Sequence, residues 1–272
     1  MKLSEIYKIA DALAPKALSD EYCRNFGAYD NSGTLVDTGE EITGIVFSLD
    51  LTFAALDEAI EKGCNLIITH HPCVYGKINH ARCDADDLTE RKLVKALRNG
   101  ISVISMHLNL DMAKDGIDES LMKGISLAAD KTMGAGTSLC SIMEGVGDGG
   151  YGRCYAVKTL TLGQLKENIK QVFDTNRILT YGDEKKEIHR VASFCGAGAD
   201  EKAILFAKEN GADVVVSSDF KHHVIMFAVE LGLSVIVMTH YASENYGFKN
   251  YYEKIRQQVQ IPCVWHVDTD LL

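Results

Sequence analysis

Residues 45–71 read IVFSLDLTFAALDEAIEKGCNLIITHH, and their pattern alternates between strand and helix. Ile45 to Leu49 is a short apolar run of strand length, rich in β-branched and aromatic side chains. Thr52 then stands where a helix N-cap belongs, and Ala55, Leu56, Ala59 and Ile60 fall on one face of the helix it would start. Gly63 is placed to close that helix, and Leu66-Ile67-Ile68-Thr69 resumes the strand pattern before His70 and His71. Strand, helix, glycine and strand in this order form a unit of a parallel α/β sheet.

Working outward, the chain repeats itself. Arg190-Val191-Ala192-Ser193-Phe194 is followed by Gly196-Ala197-Gly198-Ala199-Asp200, with Asp200 as cap, a helix through Ile204, Ala207 and Lys208, Gly211, and the strand Val214-Val215-Val216-Ser217. Each half then adds a helix closed by Gly100 or Gly232 and a further strand, Ile101 to Met106 or Leu233 to Met238. After the first comes His107 with Asp111, and after the second His240 with Glu244, each an imidazole four residues before a carboxylate. The expected fold class is α/β, built as two related α/β domains. Ligands of such sheets bind beyond the carboxyl ends of the strands, where these polar residues stand. Ser217-Ser218-Asp219-Phe220-Lys221-His222-His223 occupies the repeat position of His70-His71 and again brings an acid and histidines. The glycine-rich stretch 145–152 suggests a boundary somewhat before it, giving expected domains 1–135 and 136–272; a flexible loop within one domain reads equally well there. The final strand around Trp265 is left open between the two domains.

Composition removes several classes of function. The chain has 272 residues, 46% of them apolar, enough for a large core. No apolar run approaches the length of a membrane span, and the start reads as an amphipathic helix, so no membrane role is expected. Eight cysteines without a Cys-x-x-Cys pair suit reduced thiols in a cytoplasm. A formal charge of −10 argues against general nucleic-acid binding. No Gly-Lys-Ser/Thr follows the glycines, so the stretch is not a nucleotide-binding loop of that type.

The chemistry lies in the imidazoles and carboxylates. Neutral imidazole suits zinc, iron or manganese, and a carboxylate can bridge two ions through its two oxygens. His70, His71, Asp111, His240 and Glu244 supply that mixture without a cysteine. Adjacent histidines on a regular strand point to opposite sides, so His70 and His71 can share a site only at an irregular strand end, which Pro72 favours. Taken singly, each has a plainer reading: a surface or hydrogen-bonded histidine, or Glu244 as a helix cap. Convergence on equivalent strand ends favours the metal reading. Cys73 reads as a packed thiol, Arg153 as either a phosphate contact or an ordinary surface arginine, and His80, His189 and His266 as surface or packing residues. The acidic cluster Asp84, Asp86 and Asp87 reads as a solvated loop before a helix capped near Thr89.

Several segments together resemble the NIF-three-like family, also called GTP cyclohydrolase 1 type 2 homologues. They are Tyr29-Asp30-Asn31-Ser32-Gly33, Ser48 to Thr52, Ile68-Thr69-His70-His71-Pro72, His107 to Asp111, Tyr151-Gly152-Arg153, Cys195 to Gly198, Ser218 to His223 and Thr239-His240-Tyr241-Ala242-Ser243-Glu244. The resemblance runs in order along nearly the whole chain. It implies a two-domain fold with a dinuclear metal site in the cleft between the domains, ligands at His70, His71, Asp111, His240 and Glu244, and a homohexamer. The chain departs from the family pattern at Tyr29 (usually Trp), Leu108 (usually Thr) and Ser218 (usually Gly). Leu108 removes a hydroxyl near Asp111 and is expected to alter the hydrogen bonding around that carboxylate.

The resemblance also implies an activity. It points to a hydrolase acting on GTP or another nucleotide, with two divalent ions (zinc, iron or manganese), a metal-bound hydroxide attacking the guanine ring, and release of formate. His107, Asp219 and His223 are then candidates for proton transfer or for orienting ligands, and Lys221 and Arg153 for holding the triphosphate. Two other readings stay open: a metal-dependent nucleotide phosphohydrolase, and a noncatalytic metal-binding, chaperone or interaction protein.

Overall fold

The strand that leads into the paired histidines, Leu66–Thr69, is the middle member of a five-stranded sheet. The computed structural model describes residues 1–76, 87–130 and 140–271. The chain forms two compact units: Met1–Ala113 with Phe248–Val267, and Lys114–Gly247 with Asp268–Leu272.

In the first unit, helices α1 (Leu3–Leu13) and α2 (Lys16–Phe26) precede β1 (Gly33–Val36), β2 (Ile45–Ser48), α3 (Phe53–Lys62), β3 (Leu66–Thr69), α4 (Leu88–Arg98), β4 (Ser102–Ser105) and the short α5 (Leu108–Met112). The second unit holds α6 (Ile117–Ala129), β5 (Ser141–Val146), β6 (Gly149–Thr161), α7 (Leu162–Val172), β7 (Leu179–Tyr181), β8 (Glu187–Ser193), α8 (Glu201–Glu209), β9 (Val214–Ser217), α9 (His222–Glu230), β10 (Ser234–Val237) and the first turns of α10 (His240–Arg256). From Phe248 onward α10 belongs to the first unit, as does β11 (Cys263–Trp265). Among the described residues no helix is long and apolar enough to cross a membrane.

The elements form for the reasons the sequence suggests. Thr52 accepts from the Ala55 N–H at 3.0 Å and caps α3, Asp200 accepts from Ala203 and caps α8, and Gly63 closes α3 at φ 67°. The cap of α4 is Asp87, whose carboxylate accepts from the Thr89 and Glu90 N–H groups, so this acid has a structural task. His80, Asp84 and Asp86 lie outside the described residues.

The repeat proves larger than the sequence pattern showed. In the first sheet, ordered β1-β4-β3-β2-β11, strands β2, β3 and β4 are parallel and β1 lies antiparallel on β4. In the second, ordered β5-β6-β8-β9-β10-β7, strands β8, β9 and β10 are parallel and β7 lies antiparallel on β10. Both units thus contain an edge strand, then strand-helix-strand-helix-strand, then a helix. β1 and β7 are short, carry little apolar periodicity, and escape a reading based on buried runs. The cores correspond as well. Val46, Ile67 and Val103 stand in register under Leu56, Ala59, Leu93 and Ala96, as Ala192, Val215 and Val235 do under Ala203, Ala207, Val224 and Ala228. Central strands covered by helices bury both faces, which is why they read as unbroken apolar runs.

The middle and the end of the chain complete the organisation. The boundary expected at 135/136 lies outside the described residues, while α6, earlier in the chain, packs on α7 and β6 and so belongs to the second unit. The glycine-rich stretch is a hairpin: β5 and β6 pair antiparallel from Val146↔Gly149 outward. The final strand, left open by the sequence, pairs parallel with β2.

Candidate metal centre

In the first unit the donors sit on the chain segments that follow β3 and β4. Past Thr69 the strand breaks: the N–H groups of both His70 and His71 donate to the Leu49 carbonyl, and the Thr69 hydroxyl donates to the His71 carbonyl at 2.8 Å. This irregular end replaces strand alternation and brings the two rings to a centroid distance of 4.7 Å. His107 follows β4 and begins α5, with its ring 5.4 Å from that of His70 and 5.7 Å from that of His71. One donor atom from each of His70, His71 and His107 lies within 4.8 Å of the others. Asp111, one helical turn beyond His107 and buried, brings Oδ1 to 3.5 Å from His70 Nε2.

Each ring is held by its Nδ1. His70 Nδ1 lies 2.7 Å from the Met106 carbonyl, which can only accept, so Nδ1 carries a proton and Nε2 is the nitrogen that faces Asp111. His71 Nδ1 meets Asp50 Oδ1 at 2.9 Å, and His107 Nδ1 meets Asp30 Oδ1 at 2.8 Å. Hydrogen bonding of this kind fixes the tautomer of a metal-binding imidazole and raises its basicity. Burial alone would raise the Asp30 carboxyl, but hydrogen bonds from His107, Ser19 and Ser32 outweigh it and hold the group well below the usual carboxylate range. Asp30 is therefore an ionised anchor for His107.

The second unit repeats the device. His240 and Glu244 stand on successive turns at the start of α10, with Nε2 and Oε2 3.0 Å apart, and Asp219 accepts from His240 Nδ1 at 2.6 Å. Asp219 adopts φ 46°, a left-handed conformation that aspartate tolerates better than most residues. Gly196, at φ 55°, passes so close that a Cβ there would lie 2.3 Å from Glu244 Oε1. Its carbonyl accepts from the Ser218 hydroxyl at 2.6 Å, and Ser218 Oγ lies 3.3 Å from Ser243 Oγ. The preceding Cys195 N–H donates to Asp118, the Cys195 carbonyl accepts from Tyr151, and Asp118 pairs with Arg153 at 3.0 Å.

The remaining expected residues fall elsewhere. Arg153 is 4% exposed and pairs with Asp118, so it is a buried arginine and not a surface one. His223, on the first turn of α9, is exposed and pairs with Glu201 at 3.0 Å instead of standing at a strand end. Lys221 is the exposed N-cap of α9. Cys73 packs against the first core. His266 is mostly buried and held by Glu58 at 2.6 Å, and His189 is exposed near Asp213. Asp30 and Asp50, the anchors of His107 and His71, received no role from the sequence although both stand in segments that carry the family resemblance.

Comparison with known proteins adds to this geometry. The family model Duf34/NIF3 (NGG1p interacting factor 3) matches residues 1–270. A Clostridium acetobutylicum protein called GTP cyclohydrolase 1 type 2 homolog is 32% identical over 246 residues, covering 90% of this chain and 85% of the relative. A Methanocaldococcus jannaschii protein of the same name is 27% identical over 97% of this chain and 98% of its own length. Among solved structures, a Staphylococcus aureus hypothetical protein superposes with a TM-score of 0.79 at 23% identity, covering 100% of this chain and 98% of that one, and so shares the fold. Reduced HcgD from Methanocaldococcus jannaschii gives 0.77 at 25% identity, with 97% of both chains covered.

Proposed function

The chain belongs to the Duf34/NIF3 (NGG1p interacting factor 3) family, and from that membership and its donor set we propose that it is a hydrolase using two divalent metal ions. His70, His71, Asp111, His240 and Glu244 are the proposed ligands. Five donors exceed the four that close a single tetrahedral ion, so two ions can share them and keep positions for water and substrate. The observation that carries the reading is the repeated anchoring of histidines by Nδ1: His70 on a carbonyl, His71, His107 and His240 on carboxylates. His266 is tied in the same way to Glu58 without neighbouring donors among the described residues, so it is the anchoring together with the grouping of the His70, His71 and His107 donor atoms that supports the reading. The space left by Gly196 beside Glu244 fits the same reading, since it gives the carboxylate room.

When bound, divalent ions would supply Lewis acidity and bring the acidity of water towards neutral pH. The protein's own groups do the rest. His107, with its Nδ1 proton directed at ionised Asp30, keeps Nε2 as the proton acceptor for the attacking water. Asp219 acts through His240, fixing its tautomer. Lys221 is the proposed cationic contact for substrate phosphate.

The curated relatives' name directs the choice of substrate, and we take it to be GTP, opened at the imidazole ring with loss of formate. A homohexamer in the cytoplasm belongs to the same proposal. The test is metal-loaded protein with GTP, assayed for formate and phosphate in parallel. Formate released by the wild type and lost in Glu244→Ala supports the reading. Phosphate without formate replaces it with a phosphohydrolase, and tightly held ions without turnover replace it with a noncatalytic metal protein.

A further inference from the structure

In the second unit, two consecutive residues have all four of their backbone polar groups taken by different parts of the chain. The Cys195 N–H donates to Asp118 Oδ1 of α6 at 3.4 Å, and the Cys195 carbonyl accepts from the Tyr151 hydroxyl of β6. The Gly196 N–H donates to Ser243 Oγ of α10 at 3.4 Å. The Gly196 carbonyl accepts from the Ser217 hydroxyl at 3.3 Å, the Ser218 hydroxyl at 2.6 Å and the Ser218 N–H at 3.3 Å, all at the end of β9. The partners are themselves fixed. Asp118 is fully buried and paired with Arg153, and Tyr151 reaches the loop only because a glycine stands at 198, where a Cβ would run into its hydroxyl.

What this loop touches gives the arrangement its meaning. A Cβ at Gly196 would collide with Glu244 Oε1 and come within 3.3 Å of His240 Nε2, so the glycine lies directly against both donors. Ser243, which holds the Gly196 N–H, precedes Glu244 in the chain and donates to the His240 carbonyl at 2.8 Å. The backbone at 195–196 is thus tied to the turn that presents the two donors. A loop held at four points yields less than a free one, and a metal-binding carboxylate keeps its geometry only when its surroundings are locked in this way. We propose that Tyr151 and Ser218 are positioning residues, which through the Cys195-Gly196 backbone hold a wall that sets the Glu244 carboxylate beside His240 Nε2. Ser218 is also a place where this chain departs from the family pattern, and glycine there would supply no hydroxyl. The inference rests on Glu244 being a metal ligand, as proposed above, and not on the substrate or the reaction.

The test uses the full chain with cobalt(II) as the probe. Affinity is read by competition with a chromophoric chelator, ligand geometry by the visible absorption of the cobalt-loaded protein, and the loop itself by amide hydrogen exchange in metal-free protein. Tyr151→Phe should weaken cobalt binding about tenfold, and Ser218→Ala about fivefold, each with altered cobalt bands. Both should speed exchange at the Cys195 and Gly196 N–H groups while the metal-free protein still unfolds cooperatively. Tyr155→Phe is the control, since it removes a buried hydroxyl from the same strand that makes no hydrogen bond to Cys195 or Gly196 among the described residues, and it should leave cobalt affinity and bands unchanged. If Glu244→Ala loses cobalt but Tyr151→Phe or Ser218→Ala keeps wild-type affinity and bands, the inference is overturned for that residue and the ligand reading stands. An equal loss in Tyr155→Phe also overturns it, because the effect then belongs to the stability of β6. Wild-type cobalt affinity in Glu244→Ala removes the ligand reading and the inference together.

Discussion

Replacing Gly196 with alanine should empty the centre while leaving the fold in place. Two costs arise at that position and they can be separated. The first is backbone strain: φ is 55°, and an L-residue in the left-handed region costs about 1–2 kcal/mol. The second is collision, because the new Cβ would lie 2.3 Å from Glu244 Oε1 and the carboxylate would have to retreat by about 1 Å to reach ordinary contact. A productive site tolerates displacement of about 0.5 Å, so metal affinity should fall on the order of 10- to 100-fold. Gly211→Ala supplies the control, since Gly211 has φ 70° but its Cβ would meet only Arg190 Cδ at 4.0 Å. Both variants should lose a few degrees of melting temperature in metal-free buffer. Only Gly196→Ala should lose metal on dialysis, read by plasma mass spectrometry, and only it should fail to gain melting temperature when metal is added back. If Gly196→Ala keeps its metal as Gly211→Ala does, the close approach of Glu244 is incidental and the reasoning fails.

Three other outcomes follow from the same geometry. Asp219→Asn keeps a hydrogen-bonding group at His240 Nδ1 but removes the charge, and titration with zinc or manganese should show metal affinity about 10- to 100-fold weaker with the melting temperature of the metal-free protein nearly unchanged. Arg153→Met leaves Asp118 buried without its cation; denaturant unfolding should show a loss of about 3–5 kcal/mol, whereas a change confined to substrate KM would contradict the buried-pair role. Burial pushes the Cys263 thiol up to about 11, so its alkylation by iodoacetamide at pH 8 should be far slower than that of a model thiol and should rise with pH until about pH 11. A rate that levels off near pH 8.5 would refute that environment.

The parts of the molecule that were legible in the sequence are those where one physical signal dominates. Buried parallel strands such as Val214–Ser217 leave apolar runs, and caps such as Thr52 and Asp200 leave a side-chain oxygen just before an apolar periodicity. The paired histidines could be placed because Pro72 and the strand end forbid simple alternation. What escaped is what no local pattern encodes. Asp30 and Asp50 are distant in sequence from His107 and His71, and an aspartate in a loop looks the same whether it anchors an imidazole or faces water. Arg153 sits in a strand whose alternation cannot reveal that Asp118 waits beneath it. Edge strands β1 and β7 carry too little apolar surface to announce themselves, and the packing of β11 on β2 is a long-range pairing that neither segment specifies alone.

In the proposed centre the anchored imidazoles and the two carboxylates hold two divalent ions. Anomalous diffraction from crystals of protein purified without added metal, collected on both sides of the zinc, iron and manganese edges, tests it most directly. Two peaks per chain are expected, ligated by Nε2 of His70, His71 and His240 and by the carboxylates of Asp111 and Glu244. The absence of any peak near these side chains, or a metal bound through the Nδ1 atoms now held by Met106, Asp50 and Asp219, would contradict it.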